Sequence, residues 1–455
     1  MTIRIGNGAG FWGDNLDAPR RLVESSRLDY LTLEYLAELT LSILARLREK
    51  DPTAGYAHDF LPVLKSLVPA LKSQPQLKIV TNAGGMNPAS CAQAAAAILR
   101  DAGLGDTVIG VVSGDDLLPR MAELQAAGCP LENLDDGRPL AELRQPIVSA
   151  NAYLGAQPIA EALAHGARIV ITGRVADASL TVGPAVHEFG WSWDEWNKLA
   201  GASVAGHLIE CGAQATGGYF SDWQPLDLTH VGYPIAELES DGSSTITKPE
   251  GSGGAVTRDT VRLQLLYEIG NPRCYLTPDV NCDFTTVRVV EAGPDRVRVE
   301  NATGAAASSL YKVSLAYRDG FMADGRLLVY GADCAAKARE CARIIWAKLR
   351  QAGYEYDRSH VELLGAGDGV PGLHAAPPAG LREVVLRLAV HDARREAVER
   401  FTREFAPLAT SGPAGLAGYT QARGEVRPVF AYWPTLVPAE LLRPSVDVSR
   451  AEELR

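Results

Sequence analysis

The chain has 455 residues, 46% of them hydrophobic and 22% charged, which is typical of a folded protein and too long for one ordinary hydrophobic core. Its formal net charge of −11 argues against a nucleic-acid-binding protein, because affinity for phosphate backbones comes mainly from Lys and Arg. No apolar run reaches the roughly 18 residues that a membrane-spanning helix needs. We therefore expect two or three packed units that bind neither nucleic acid nor a membrane.

The N-terminus and the cysteines indicate a cytoplasmic protein. Residues 1–6 contain no basic segment followed by an apolar run, which argues against a secretory signal. The seven cysteines are scattered without a Cys-x-x-Cys pair, and their odd number fits the reduced thiols of the cytosol. Disorder is expected only in the charged tail, residues 446–455.

Residues 1–224 alternate short apolar runs with helical patterns, and polar or Gly-rich loops follow the runs. Such alternation predicts βαβ units, and uninterrupted apolar runs predict strands that are buried on both faces. We expect an α/β domain here, with a mostly parallel, Rossmann-like sheet and helices on both faces; a closed barrel is the alternative. The predicted strands are residues 2–5, 28–33, 77–80, 108–112, 146–149 and 168–171.

The pattern changes in residues 225–455, where polar and apolar residues alternate as in antiparallel strands. Residues 283–290 and 296–299 flank Gly293-Pro294, and residues 311–317 and 327–330 flank two Asp-Gly pairs, so each pair of segments predicts a hairpin. Helices are predicted at 332–351 and 394–405, with a strand at 381–390. We expect a second, smaller α+β domain ending in a short polar tail.

In an open parallel sheet, ligands bind outside the carboxyl ends of the strands, so the loops after the predicted strands are candidate site loops. The first loop contains Gly8-Ala-Gly-Phe-Trp-Gly13, which matches the G-x-G-x-x-G dinucleotide fingerprint, and Glu34 lies about twenty residues farther on. The bulky Phe11 and Trp12 favour a tight structural turn or contact with another ligand instead. The candidate ligand contacts in this loop are Asn7, Gly10 and Asp14.

Two further loops carry amide side chains. Asn82-Ala-Gly-Gly-Met-Asn-Pro88 opens a helix, and Gly84 and Gly85 let the backbone approach a carbonyl or phosphate. In the alternative interpretation this is a capped turn in which Asn87 serves the helix N-terminus. Asn151, at the end of another predicted strand, is a candidate hydrogen-bond donor.

Thr172-Gly-Arg-Val-Ala-Asp-Ala-Ser179 follows the last predicted strand of this domain. Arg174 could bind a carboxylate or phosphate with two hydrogen bonds, or it could pair with Asp177 and hold the loop. Ser179 is a candidate ligand contact, and Asp177 a candidate catalytic acid.

The segment His207-Leu-Ile-Glu-Cys-Gly-Ala-Gln-Ala-Thr-Gly-Gly218 carries the most reactive side chains. His207, Glu210 and Cys211 share one helical face because they are three or four residues apart. The alternatives are acid–base catalysis by Glu210 or His207, a Cys211 nucleophile, a zinc site, and plain packing and capping; no other Cys/His cluster has metal-ligand spacing, and we expect no metal. Gln214 and Thr216 are candidate ligand contacts.

Long blocks of the chain resemble the AtuA (acyclic terpene utilisation) family, over roughly residues 5–440. The blocks run in order from Gly10-Phe-Trp-Gly-Asp14 through the Asn82, Asn151, Arg174 and His207 loops to Lys248-Pro-Glu-Gly-Ser-Gly-Gly254 and Tyr275-Leu-Thr-Pro-Asp279. The family takes its name from bacterial degradation of citronellol and geraniol, which proceeds through coenzyme A thioesters. Some relatives carry an added C-terminal ferredoxin-like domain; here it looks absent, and we expect a separate small ferredoxin-like chain or a homo-oligomer as partner.

These observations favour an enzyme that acts on a branched carboxylic acid or its acyl-CoA thioester by lyase or hydratase chemistry. Such chemistry removes a proton next to a carbonyl group, so it needs a base and donors for an enolate-like oxygen. Glu210 or His207 would be the base, and Asn82, Asn151 and the Gly84 and Gly85 amides the donors. No cofactor is expected beyond coenzyme A as part of the substrate. The alternatives are a non-catalytic binding or scaffold subunit and a dinucleotide-dependent oxidoreductase.

Overall fold

The structure is a computed structural model that describes residues 1–370, 372, 380–418 and 424–454. The strands in chain order are β1 Thr2–Asn7, β2 Tyr30–Leu33, β3 Lys78–Thr81, β4 Val108–Ser113, β5 Ile147–Ala152, β6 Ile169–Thr172, β7 Ile235–Glu239, β8 Ser244–Thr247, β9 Tyr275–Leu276, β10 Asn281–Asp283, β11 Arg288–Gly293, β12 Arg296–Glu300, β13 Thr303–Ala305, β14 Leu310–Tyr330, β15 Arg358–Leu364, β16 Glu383–Asp392, β17 Leu416–Gly418, β18 Arg427–Pro438 and β19 Ser445–Arg450.

The helices surround these strands and are shorter than the longest strand. In chain order they are α1 Ala18–Ser25, α2 Thr40–Lys50, α3 Phe60–Ser73, α4 Pro88–Asp101, α5 Met121–Ala126, α6 Gln157–Ala164, α7 Ser179–Phe189, α8 Trp196–Glu210, α9 Arg258–Leu266, α10 Cys334–Gln351, α11 Arg395–Thr402 and α12 Leu408–Ser411.

The main sheet is mixed, in the order β11-β12-β8-β7-β1-β2-β3-β6-β4-β19. Its centre, β1-β2-β3-β6-β4, is parallel, while β7, β8, β12 and β11 extend one edge and β19 the other with antiparallel pairings. The prediction of an α/β fold is confirmed, but a mostly parallel, Rossmann-like sheet is wrong. The strands after residue 225 pair antiparallel, as their local sequence patterns predict. That these strands join the parallel strands in one sheet depends on tertiary contacts, which local patterns do not show.

Three local predictions need correction. The predicted strand at 146–149 corresponds to β5, which pairs with β14 and not with the main sheet. Residues 446–450 of the predicted disordered tail belong instead to β19, which pairs with β4 from Ser445 to Arg450. The hairpin predicted around Asp324-Gly325 is one continuous strand, β14, in which Gly325 leaves room for the Phe405 ring instead of making a turn.

Helices cover both faces of the parallel strands, as the continuous apolar runs predict. On one face Leu31, Ile79 and Ile171 pack in a cluster with side chains of α1, α3 and α4. On the other face α6, α7 and α8 contact the strands, and Gly110 of β4 lies so close to α6 that an added Cβ would be 2.8 Å from Ala162 Cβ. The strands are therefore buried on both sides.

The chain divides into two compact units, residues 1–316 with 432–455, and residues 317–431. This division differs from the predicted boundary between residues 224 and 225, because the strands after residue 225 first complete the main sheet. Unit two has a β15-β16-β14-β17 sheet, and with α10 and α11 its chain order is the βαββαβ order of ferredoxin-like motifs. Its core is formed by alternate residues of β16 and the apolar face of α10.

Helix α8 has an unusual environment, because every residue from Leu199 to Ile209 is buried. A helix buried on all sides needs small residues where other chain segments approach it. Gly201 and Gly206 meet this need: an added Cβ would be 2.0 Å from the Gly242 carbonyl oxygen and 2.9 Å from Ala178, respectively. Among the described residues no helix is both long and apolar enough to span a bilayer.

We predict that Gly201→Ala lowers the free energy of unfolding by about 1–3 kcal/mol, because the new methyl group overlaps the Gly242 backbone. Helix propensity alone predicts the opposite sign, a gain of about 0.8–1.0 kcal/mol. Urea unfolding measures the difference, and Gly270→Ala, at a glycine with open space around it, is the control. A Gly201→Ala protein as stable as the native one would refute the close approach.

Candidate active site

The carboxyl ends of β2, β3 and β6 meet around the guanidinium of Arg174, which is only 2% exposed. Its two terminal nitrogens donate to the Leu36 carbonyl oxygen and to the Asp177 carboxylate. Its central carbon lies 4.0 Å from the centre of the Tyr153 ring, a cation–π contact. Although burial lowers it, the neighbouring acids keep the pKa of Arg174 above its ordinary value. Arg174 thus has the pairing role that the sequence left open, with both terminal nitrogens bonded within the protein.

Glu34 and Asn82 form the next layer of this cluster. Asn82 donates to Glu34 through its side-chain nitrogen and accepts a hydrogen bond from the Tyr35 amide at 2.8 Å. Glu34 Oε1 lies 4.0 Å from Arg174, while Glu34 Oε2 is buried without a hydrogen-bond partner. Burial, reinforced by Asp177, raises the pKa of Glu34 well above its ordinary value. The Asn82 amide is therefore engaged, whereas Glu34 keeps an unused buried oxygen.

Asp115 joins Asn151 to the same cluster. Its Oδ2 accepts hydrogen bonds from Asn151 Nδ2 at 2.7 Å and from the Arg174 amide at 2.9 Å. Burial raises the pKa of Asp115 to about 6, although these two hydrogen bonds lower it. Asn151 Oδ1 is buried without a hydrogen-bond partner, so the unused group of this amide is an acceptor and not the predicted donor.

The second part of the site lies at the C-terminal end of α8. His207 Nδ1 lies 3.0 Å from Glu210 Oε1, and the two side chains are 2% and 10% exposed. Burial raises the pKa of Glu210 to about 7, even though His207 opposes the rise. Burial lowers the pKa of His207, but the hydrogen bond and charge of Glu210, together with backbone hydrogen bonds, raise it above its ordinary value. His207 Nε2 and Glu210 Oε2 have no hydrogen-bond partners, so the pair can exchange a proton near neutral pH with a further group.

Cys211, which follows this pair, is not activated. Burial, with a contribution from Glu210, raises the pKa of its thiol to about 12. A thiol with such a pKa is protonated at neutral pH and is a poor nucleophile. All seven cysteines are described, and none of them forms a disulfide.

Asn7 and Asp177 connect the two parts. Asn7 Nδ2 donates to the carbonyl oxygens of Ile209 and Glu210, at 2.7 and 2.9 Å, so it caps the end of α8 and does not point at a ligand. Asp177 pairs with Arg174, and its charge also raises the pKa of Glu210. Asn7, Asn82, Asn151, Arg174 and Glu210 thus lie around one buried region, although they are far apart in the sequence.

Several predicted ligand contacts instead hold the loops together. Asn87 caps α4 and donates to the Pro52 and Ala54 carbonyl oxygens. A Cβ added at Gly84 would meet the Thr172 carbonyl oxygen. The Gly85 amide donates to the Asn82 carbonyl oxygen. Ser179 donates to Asp279, and Thr216 donates to Ala213 and Gly232. These contacts satisfy groups that were expected to bind a ligand. Of the remaining predictions, Gln214 lines a surface cavity with Gln264.

The first loop does not have the geometry of a dinucleotide site. Asp14 accepts hydrogen bonds from the Gly10 amide at 2.8 Å and from the Tyr233 hydroxyl at 2.6 Å. Gly10 packs on the backbone of Cys211 and Gly212, where an added Cβ would be 2.7 Å from the Cys211 carbonyl carbon. Glu34, the expected ribose ligand, is buried beside Arg174. The glycines of this loop therefore permit close packing of the chain on itself.

Four site residues were not predicted from the sequence: Asp115, Tyr153, Gln264 and Tyr275. Asp115 and Tyr153 follow predicted strands, so the strand-end rule could have included them. Tyr275, whose ring centre lies 5.9 Å from that of His207, and Gln264, which donates to the His207 carbonyl oxygen at 3.0 Å, come from distant segments without a local signal. Over the described residues, no group of three or more His, Cys, Asp or Glu is arranged to hold a metal ion.

The fold and this cluster define an α/β protein with a buried, charge-rich site at the carboxyl ends of its central parallel strands. The sequence model of the acyclic terpene utilisation family protein AtuA matches residues 3–448, nearly the whole chain, and the chain belongs to that family. Searches of curated proteins and of solved structures give no match.

We predict that Asp115 makes stability depend on pH. Its pKa is raised by folding from 3.8 to about 6, so its stabilising contribution is complete below pH 3.8 and is lost as the pH rises to about 6. Asp115→Asn can keep both hydrogen bonds to the Oδ2 position without titrating. Relative to the native protein, this variant should gain about 2.4 kcal/mol between pH 4 and pH 7.

Urea unfolding at several pH values checks this prediction. If the new amide changes the free energy of unfolding by the same amount at every pH, the slope of the stability difference against pH is unaffected. Groups that titrate in both proteins contribute equally to each and cancel in the difference. Asp101→Asn, at an exposed position at the end of α4, is the control. A difference between native and Asp115→Asn proteins that stays constant with pH would contradict the raised pKa.

Proposed function

We propose that this protein is a catabolic enzyme that removes a proton next to the carbonyl group of a branched carboxylic acid or its acyl-CoA thioester. The observation that carries the proposal is the His207–Glu210 pair: a nearly buried carboxyl group with a pKa of about 7 and one unpaired oxygen. A general base works best when its pKa lies near the working pH. Membership of the acyclic terpene utilisation family supports a branched substrate.

Glu210 is the base in this proposal, and His207 is the positioning residue. The ionised Glu210 takes the proton from the carbon next to the carbonyl, and the electron pair of the broken C–H bond moves onto the carbonyl oxygen. His207 holds Oε1, which leaves Oε2 to approach the substrate. In a hydratase or lyase, the enolate then expels a β-hydroxyl group as water, with Glu210 or His207 returning the proton.

The donors for the enolate oxygen differ from those that the sequence suggested. The Asn82 and Asn151 nitrogens and the Gly85 amide already donate within the protein. Among the described buried donors without partners are the Tyr153 hydroxyl and Arg174 Nε, which belong to the cation–π pair next to Asp177. We assign the stabilisation of negative charge to this pair, because preorganised donors in a dry site stabilise an oxyanion strongly.

The test is the exchange of substrate hydrogen with deuterated solvent, followed by mass spectrometry of 3-methylbutanoyl-CoA and 3-methylbutenoyl-CoA. We expect Glu210→Gln to slow exchange by about 10²–10⁴-fold, because glutamine cannot accept the proton. The native rate should rise with pH up to about 7, since Glu210 must be ionised. Glu161→Gln, at an exposed position on α6, is the control.

The same variant separates a base from a structural partner. The raised pKa of Glu210 means that its ionised form is unfavourable in the folded state. Because Glu210→Gln removes this ionised carboxylate, the melting temperature at pH 8 should be unchanged or higher. Exchange at the native rate in Glu210→Gln would exclude Glu210 as the base. Absence of exchange in the native protein with both thioesters would overturn the proposed reaction.

We also predict that Cys211→Ser retains nearly the full exchange rate. A thiol with a pKa of about 12 is not a thiolate at neutral pH, and a proton-transfer mechanism does not use it. The measurement is the same deuterium exchange, with thermal unfolding to verify folding. Loss of activity in a folded Cys211→Ser protein would reinstate a covalent mechanism.

A further inference from the structure

A small surface cavity of about 210 Å³ lies between α9 and the segment that follows α8. Its apolar walls are Leu263 and Tyr267 on one side and Tyr219 and Phe220 on the other. The volume is below the roughly 300–1,000 Å³ of sites that enclose a drug-sized molecule. A cavity of this size suits one small apolar group and not a whole cofactor.

The walls expose apolar surface that the fold does not cover. Helix α9 buries Val261, Gln264 and Leu265, whereas Leu263 is 48% exposed on its outer side. Tyr219 is 91% exposed and has a left-handed backbone with φ of +59°. Tyrosine rarely adopts this conformation, and such strain concentrates at ligand-binding sites. Both observations fit a surface that is completed by a ligand.

One lining residue, Gln264, connects the cavity to the backbone of the helix turn that carries the His207–Glu210 pair. Gln264 is 2% exposed, and its Nε2 donates to the His207 carbonyl oxygen at 3.0 Å. Its Oε1 is buried without a hydrogen-bond partner, although Gln264 lines the cavity. The cavity thus combines apolar walls with a few polar lining residues, among them Gln264 with its unpaired Oε1. An arrangement of this kind orients a ligand that is mainly apolar.

The charges of the lining select the part of a thioester that fits. Neither Lys nor Arg lines the cavity, so it lacks the groups that bind the phosphates of coenzyme A. Because Gln264 joins the cavity to the helix turn that carries the proposed base, the cavity is placed to take the part of the ligand that adjoins the carbonyl group. The branched hydrocarbon end of an acyl group meets both conditions.

We propose that this cavity is the acyl-chain subsite, which binds the methyl-branched end of the substrate and selects it by size. The proposal rests on the proposed function for its substrate class. Leu263 forms the outer wall and sets the length of chain accepted, while Gln264 connects the subsite to His207.

The test is calorimetric binding of acetyl-CoA and 3-methylbutanoyl-CoA, which differ by three carbon atoms. Burial of three further methyl or methylene groups should make the native protein bind the branched thioester about 10- to 50-fold more tightly. Leu263→Trp, which fills the cavity, should reduce this preference to about twofold or less and leave the affinity for acetyl-CoA unchanged. Leu266→Trp is the matched control, because Leu266 is 66% exposed on the same helix and does not line the cavity.

Phe220→Ala provides a second variant that removes wall area and should weaken binding of the branched thioester by about 3- to 10-fold, whether or not Leu263→Trp folds. Glu210→Gln should keep the native preference, because it changes the base and not the cavity. The absence of a preference in the native protein, or equal effects of Leu263→Trp and Leu266→Trp, would overturn the subsite. A preserved preference together with native exchange in Glu210→Gln would overturn the proposed base and leave the subsite standing.

Discussion

The burial of the Arg174 guanidinium is the interaction on which the rest of the site depends. A cation that is 2% exposed is stable only if opposite charges and hydrogen bonds replace its water, and Asp177, the Leu36 carbonyl and the Tyr153 ring do so. These partners come from the loops after different strands. Satisfying one buried charge therefore draws the carboxyl ends of the parallel strands together and fixes the loops that surround the site.

The same desolvation makes the acids of the site unusual. Around Arg174 and at the end of α8, burial is the first cause of the raised pKa of Glu34, Asp115 and Glu210. A carboxyl group whose pKa moves towards neutrality costs stability when it ionises, and such costs are typical of functional sites. The unpaired oxygens of Glu34 and Glu210 add to this cost. These features are the ones on which the proposed acid–base function rests.

Helix α8 brings its C-terminal end to this region because glycine allows it. Gly201 lets the helix pack on the turn at Gly242, and Gly206 lets it pack on Ala178, in the loop that holds Arg174 and Asp177. Asn7, at the end of β1, then binds the last carbonyls of the helix. Backbone packing thereby sets the position of Glu210 relative to Asp177, and α9, which binds the other side of the His207 turn through Gln264, adds the neighbouring cavity.

The sequence by itself determined the α/β class and most strand positions, and it led to the region proposed as the site. Apolar runs and polar loops are local patterns, and the strand-end rule places Asn82, Arg174 and Asn151 near one another. The three-residue spacing of His207 and Glu210 on a helix likewise predicts their contact. Only the tertiary structure decided that the main sheet is mixed, that residues 445–450 pair with β4, and that Gly10, Asp14 and Asn87 serve packing and capping. The physical reason is that edge pairing, burial and hydrogen-bond partners depend on residues distant in the chain, so the same side chain can bind a ligand or satisfy its own fold.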